Sequence, residues 1–87
     1  MKSITVTATD VRSILVAADD KNRTVYMNIV GNAPVAIGGV DVTFANGLLL
    51  EKHTNAQEIF VPSKETIYAV CDTGATDDVR VLLPDTD

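Results

Sequence analysis

A period of two runs through this chain and limits what it can fold into. Ile4, Val6 and Ala8 alternate with Ser3, Thr5 and Thr7, and Val25, Met27 and Ile29 alternate with Thr24, Tyr26 and Asn28. Val40, Val42 and Phe44 enclose Asp41 and Thr43. Ile67, Ala69 and Cys71 alternate with Thr66, Tyr68 and Val70, and Val79, Val81 and Leu83 close the series. Successive side chains of a strand point to opposite faces, so each apolar set lies on one side of a pleated ribbon. Valine, isoleucine and threonine dominate these runs, as a half-buried pleated surface prefers.

Polar breaks separate the runs. Asp19, Asp20, Lys21 and Asn22 form one, Gly31, Asn32, Ala33 and Pro34 another, and Pro62, Ser63, Lys64 and Glu65 a third. Gly38 and Gly39 predict a tight turn between strands at residues 35–37 and 40–44, and Asn46 with Gly47 predicts another. Such residues tolerate the positive φ that tight turns need. Gly74 marks a last turn within Asp72, Thr73, Gly74, Ala75 and Thr76. Strand-sized runs between closely spaced turns predict an all-β fold: one small antiparallel β-sandwich or jelly-roll-like barrel of about 7–8 short strands. The domain is expected over residues 1–83, with residues 84–87 a short acidic tail.

One segment is ambiguous. Asp10 could cap a helix carrying Val11, Ile14, Leu15 and Ala18 on one face, yet residues 12–17 also read as a strand. The strand is favoured, because the apolar stretch is short and Asp19 and Asp20 end it.

With 87 residues the chain has room for one domain, whose own stability should be modest. A single cysteine, Cys71, excludes an internal disulfide, and a lone His53 excludes a histidine-rich metal site. Partner subunits are the remaining source of stability, so a homo-oligomer is expected, with a trimer favoured. Twelve acidic against seven basic residues give a formal charge of −5. The basic residues are scattered, which argues against nucleic acid and against anionic membranes. No apolar run approaches a membrane span, and the alternation begins directly after Lys2, where a signal peptide would need a continuous apolar core. Synthesis in the cytoplasm is the expectation, and the unpaired thiol fits it.

Catalytic chemistry finds few candidates. His53 lies in the polar stretch Glu51, Lys52, His53, Thr54 and Asn55 and reads as a solvated loop residue. Cys71 falls on the apolar face with Ile67 and Ala69 and reads as a small core hydrophobe. Asp19 with Asp20, and Asp77 with Asp78, are neighbours that would point to opposite faces and not form one pocket. They read as solvated loop and edge charges. Gly38 and Gly39 lack the following helix and the lysine of a phosphate-binding loop. No enzyme, cofactor or metal is expected. Tyr26 and Tyr68 fall on the polar sides of their strands, where they serve either ordinary inter-strand packing or a subunit or capsid interface.

Taken along the chain, the strand and turn elements resemble a class of small β-sandwich structural proteins of tailed-bacteriophage virions. The resembling stretches are Ile4 to Thr7, Ile14 to Ala18, Val25 to Ile29, Pro34 to Thr43 with Asn46 and Gly47, Ile67 to Val70, Gly74, and Asp78 to Leu82. That resemblance implies a head decoration (cement) protein or a head-fibre base. Such a protein would be a symmetric oligomer bound to the major capsid protein or another virion protein, on the outside of the particle. The module stands nearly alone here, which favours a decoration subunit over a fibre. The alternative is a receptor- or carbohydrate-binding module of a phage tail or fibre.

Overall fold

The computed structural model describes residues 2–51 and 56–84. Its eight strands are β1 (Lys2–Ala8), β2 (Ser13–Val16), β3 (Arg23–Ile29), β4 (Val35–Gly38), β5 (Leu48–Leu50), β6 (Gln57–Val61), β7 (Ile67–Cys71) and β8 (Asp77–Leu83). They form two four-stranded sheets, ordered β1-β8-β3-β6 and β2-β7-β4-β5, with every pairing antiparallel. The pairs β4·β5, β3·β6, β2·β7 and β1·β8 nest around the β4–β5 hairpin. The chain is thus one long hairpin rolled until β3 meets β8 and β4 meets β7. This is the jelly-roll form of the sandwich.

The alternation does what its period requires. Val25, Met27, Val79, Val81, Val35, Ile37, Ala69 and Cys71 point between the sheets and form the main core, with Ile4, Val6 and Ile59 half-buried at its rim. Cross-strand partners such as Ile4 with Val81 and Val25 with Ile59 keep like faces together. The ambiguous segment is a strand, β2, and Asp10 caps no helix: its carboxylate accepts the Gly74 N–H at 3.0 Å. A register shift between Ile14 and Val16 lets consecutive Leu15 and Val16 both turn inward, which is why the period there was mixed.

Two expectations are corrected. Residues 40–44 are not a strand, and Gly38 and Gly39 do not make a two-residue turn. Gly38 ends β4, and residues 39–47 form a folded loop that returns the chain to β5 beside it. The loop is closed by the Val42 and Gly47 N–H groups on the carbonyls of Gly39 and Thr43, both at 3.0 Å, and by Thr43 N–H on the Asn46 side-chain oxygen at 2.7 Å. It buries Val42 on the outer face of the second sheet against Ala36 and Val70, with Phe44 and Tyr68 beside them. A strand there could not pair with β4 as a tight hairpin requires, since β4 already has β7 and β5 on its two sides. Strands β5 and β6 carry no alternation (Leu48, Leu49, Leu50; Ile59, Phe60, Val61), so their sequences gave no strand signal. Residues 85–87 of the expected tail lie outside the described residues.

Candidate docking surfaces

Tyr26 and Tyr68 both point away from the core, as their alternation implies, but they lie on opposite faces of the molecule. They cannot belong to one patch. Tyr68 sits on the outer face of the β2-β7-β4-β5 sheet, half-covered by the 39–47 loop and with the Arg12 guanidinium 5.8 Å from its ring centre. It is chiefly a packing residue. Beyond the loop this sheet exposes Ile14, Leu48 and Leu49, Leu48 being 70% exposed, while Leu50 turns into the core.

Tyr26 lies on the outer face of the first sheet, 37% exposed, and its hydroxyl donates to Glu58 Oε2 at 2.9 Å. That bond and the Glu58 charge raise the phenol's pKa above its ordinary value. Register places Ser3, Leu82, Tyr26 and Glu58 in one cross-strand row and Thr5, Arg80 and Asn28 in the next. Between these rows runs an open groove of about 520 Å³. Phe60, 60% exposed, lies diagonally from Tyr26 on β6, opposite Thr24 and on the side of the Tyr26 row away from the groove. Phe60 was not legible in the sequence because β6 does not alternate, and the groove was not because its rows join β1, β8 and β3.

The sheet edges differ sharply. An unpaired edge invites another strand unless it is short, bulged, charged or interrupted by proline. Strand β2 has four residues and a register shift, β5 has three residues, and β6 has five, carries Glu58 and is followed by Pro62. Strand β1 has seven residues in unbroken register with β8 on one side only, with no proline and a single charge, Lys2, at its start. It is the least guarded edge.

The structural turns have separate causes. Gly74, which the sequence places in a turn, adopts φ +78°. Gly38, Gly39 and Gly47 do not use positive φ. At Gly47 the need is for space: an added Cβ would lie 2.8 Å from Ala36 Cβ and Val42 Cγ2 and 2.9 Å from the Ile37 carbonyl oxygen.

Of the charged pairs, Asp78 is outward and accepts the Thr7 hydroxyl at 2.8 Å. Asp77 is not a solvated edge charge: it is buried, and its Oδ1 accepts the N–H groups of Gly31 and Asp78, both at 2.8 Å. It ties the 30–34 connection to the start of β8. Arg23 has the matching structural role at the other end of the sheet, inward-facing and buried, with Nη1 donating to the Ala17 carbonyl at 2.9 Å. Both were missed in the sequence because a charge on the apolar phase of a strand looks like the end of that strand. Among the described residues, no three His, Cys, Asp or Glu side chains cluster as metal ligands; His53 lies outside the described residues.

Cys71 packs in the core at 2% exposure, with its thiol 3.5 Å from the Ala8 carbonyl. Burial is the main reason its pKa lies above the ordinary thiol value, with the charges of Asp77 and Asp10 adding to the rise and a backbone hydrogen bond at Asp77 opposing it. The protonated thiol is therefore the form the fold favours. Its contribution to stability is complete below the ordinary thiol pKa and is lost as pH climbs through the raised folded value. Alkylation of the native protein by iodoacetamide at neutral pH should be at least roughly 100-fold slower than in urea. Equal rates, followed by intact mass, would place the thiol at the surface.

Among the described residues the sheet order and connectivity define the class: an eight-strand jelly roll whose least guarded edge is β1 and whose first sheet carries a grooved outer face. The fold is similar to that of a chain from Bacillus endospore appendages, which are described as forming a novel family of disulfide-linked pili. The TM-score is 0.61 at 21% identity, covering 94% of this chain and 80% of that one, and the likeness is one of fold. No family model and no curated protein matches the sequence.

Proposed function

We propose that this domain is a non-enzymatic structural subunit that assembles through the β1 edge onto a larger particle, in the manner of a bacteriophage head decoration protein. The observation that carries the reading is the contrast between β1 and the three guarded edges. The natural occupant of an unguarded edge is another strand, and a second copy of the chain supplies one. Pairing β1 with β1 is two-fold and stops at a dimer. Pairing β1 with β6, the longest of the guarded edges, would continue the sheet head to tail, and the trimer is the closed form we propose for that pairing. A closed oligomer that binds an assembled capsid lattice, and not its dissociated subunits, stabilises the lattice by mass action. Several weak contacts per oligomer suffice, because each raises the effective concentration of the next.

The fold likeness to a pilus protein favours a second reading, an appendage subunit. Within these 87 residues a disulfide-linked polymer is not available: one cysteine joins two chains at most, and Cys71 is buried. A fibre of this chain would be held by strand pairing and packing.

Sedimentation of the purified protein tests the edge. A trimer is expected, and Val6→Lys, which turns a charge inward on a half-buried edge position, should leave a folded monomer; Thr7→Lys should weaken assembly with little effect on the fold. A dimer would move the contact to β1 on β1, and a wild-type monomer at millimolar concentration would end the proposal. Addition to undecorated phage heads separates the settings: saturable binding with added heat resistance supports decoration, and its absence removes it.

A further inference from the structure

We propose that the groove on the outer face of the β1-β8-β3-β6 sheet is a binding site for a short neutral saccharide, with the Tyr26 ring as its platform. The groove is lined by Ser3, Thr5, Tyr26, Asn28, Arg80 and Leu82, and its volume of about 520 Å³ is of ligand size. Tyr26 and Leu82 are cross-strand partners and give the floor an apolar patch. Asn28, Arg80 and Thr5 form the adjoining row and present amide, guanidinium and hydroxyl groups along one side. Rows on one face of a sheet repeat at roughly 7 Å, so apolar floor and hydrogen-bonding rim are one ligand ring apart. The hydrogen bond from the Tyr26 hydroxyl to Glu58 favours one orientation of the ring before any ligand arrives, which lowers the ordering cost of binding.

The same observations reject other ligand classes. The face of a sheet has its backbone groups already paired, so an extended peptide would find no main-chain partners there and would go to an edge. Arg80 is accompanied on this face by Glu58 and Asp78, so a polyanion would meet more negative than positive charge. A purely apolar ligand would cover the exposed polar ends of Asn28 and Arg80 and leave them without partners. A polyhydroxyl ligand with one apolar ring face satisfies floor and rim together. This site is independent of the β1 edge contact, which extends the sheet and leaves its outer face uncovered.

The test is NMR titration of the full chain with maltotriose, cellotriose and chitotriose as neutral probes and sialyllactose as the acidic one. The expected result is saturable shifts of Tyr26, Asn28 and Arg80 signals with at least one neutral probe, at a Kd of roughly 0.1–1 mM. Asn28→Ala and Arg80→Ala should each weaken binding several-fold, Tyr26→Ala about 10-fold or more, and Tyr26→Phe, which keeps the ring, less than Tyr26→Ala. Ile14→Ala, on the other sheet, should bind as wild type. No shifts with any neutral probe, preference for sialyllactose, or shifts confined to the β2-β7-β4-β5 sheet would each overturn the proposal. Unchanged assembly in the same variants would keep that outcome separate from the structural reading.

Discussion

Met27→Ala is expected to cost about 3 kcal/mol, within the range of roughly 2–5 for large-to-alanine changes in a core. Met27 is 1% exposed on β3, an inner strand flanked by β6 and β8, where it faces Gln57 on one side and Val81 on the other. A cavity there cannot be closed by shifting an edge strand, because both neighbours are hydrogen-bonded in register. A domain of this size has on the order of 4–13 kcal/mol in total, so the loss is a large part of it. The midpoint of thermal unfolding should fall by roughly 12–20 °C. Met27→Leu, which conserves volume, should cost less than about 1.5 kcal/mol. Calorimetry of the pair checks this, and equal midpoints for Met27→Ala and wild type would mean that the two sheets do not pack face to face as described.

Gly47→Val should destabilise by about 2–3 kcal/mol, the upper part of the overpacking range, and should act on the loop before the sheets. The first atom of any side chain at this position meets Ala36, Val42 and the Ile37 carbonyl at under 3 Å. Two of those contacts belong to β4 itself, so only the loop can give way, and doing so lifts Val42 off Ala36 and Val70. Hydrogen exchange should therefore show lost protection at Val42 and Gly47, whose N–H groups close the loop, ahead of β3 and β8. Gly39→Ala, where an added Cβ meets only Asp41 at 3.6 Å, should be nearly silent. A Gly47→Val protein with wild-type stability and loop protection would show that the loop does not pack on β4.

Together these two substitutions separate the main core from the small outer one. The main core is the product of alternation, and its members are those the period places on one face: Val25 and Met27, Val79 and Val81, Ala69 and Cys71. The outer core is a product of the long hairpin loop. Its Val42 and Phe44 obey the same period, yet they pack on the back of a sheet. A period of two says which residues share a side, and it does not say which sheet, or which face of it, they meet.

The candidate surfaces divide in the same way. Tyr26 was recognisable as an outward aromatic from β3 alone. Its groove needed β1, β8 and β3 to bring Thr5, Arg80 and Asn28 into one row, across about 75 residues of sequence. The open edge of β1 likewise became visible only when its single partner was known.

What the sequence determined by itself was the all-β class, the inward sets of β1, β3, β7 and β8, the turn at Gly74 and the burial of Cys71, because each follows from residue type and spacing along a few positions. The tertiary structure alone decided the nesting of the strands, the loop over β4, the burial of Asp77 and Arg23, and the separation of Tyr26 from Tyr68 onto opposite faces. Those depend on hydrogen-bonded pairing between segments far apart in the chain, and local periodicity carries no record of its partner.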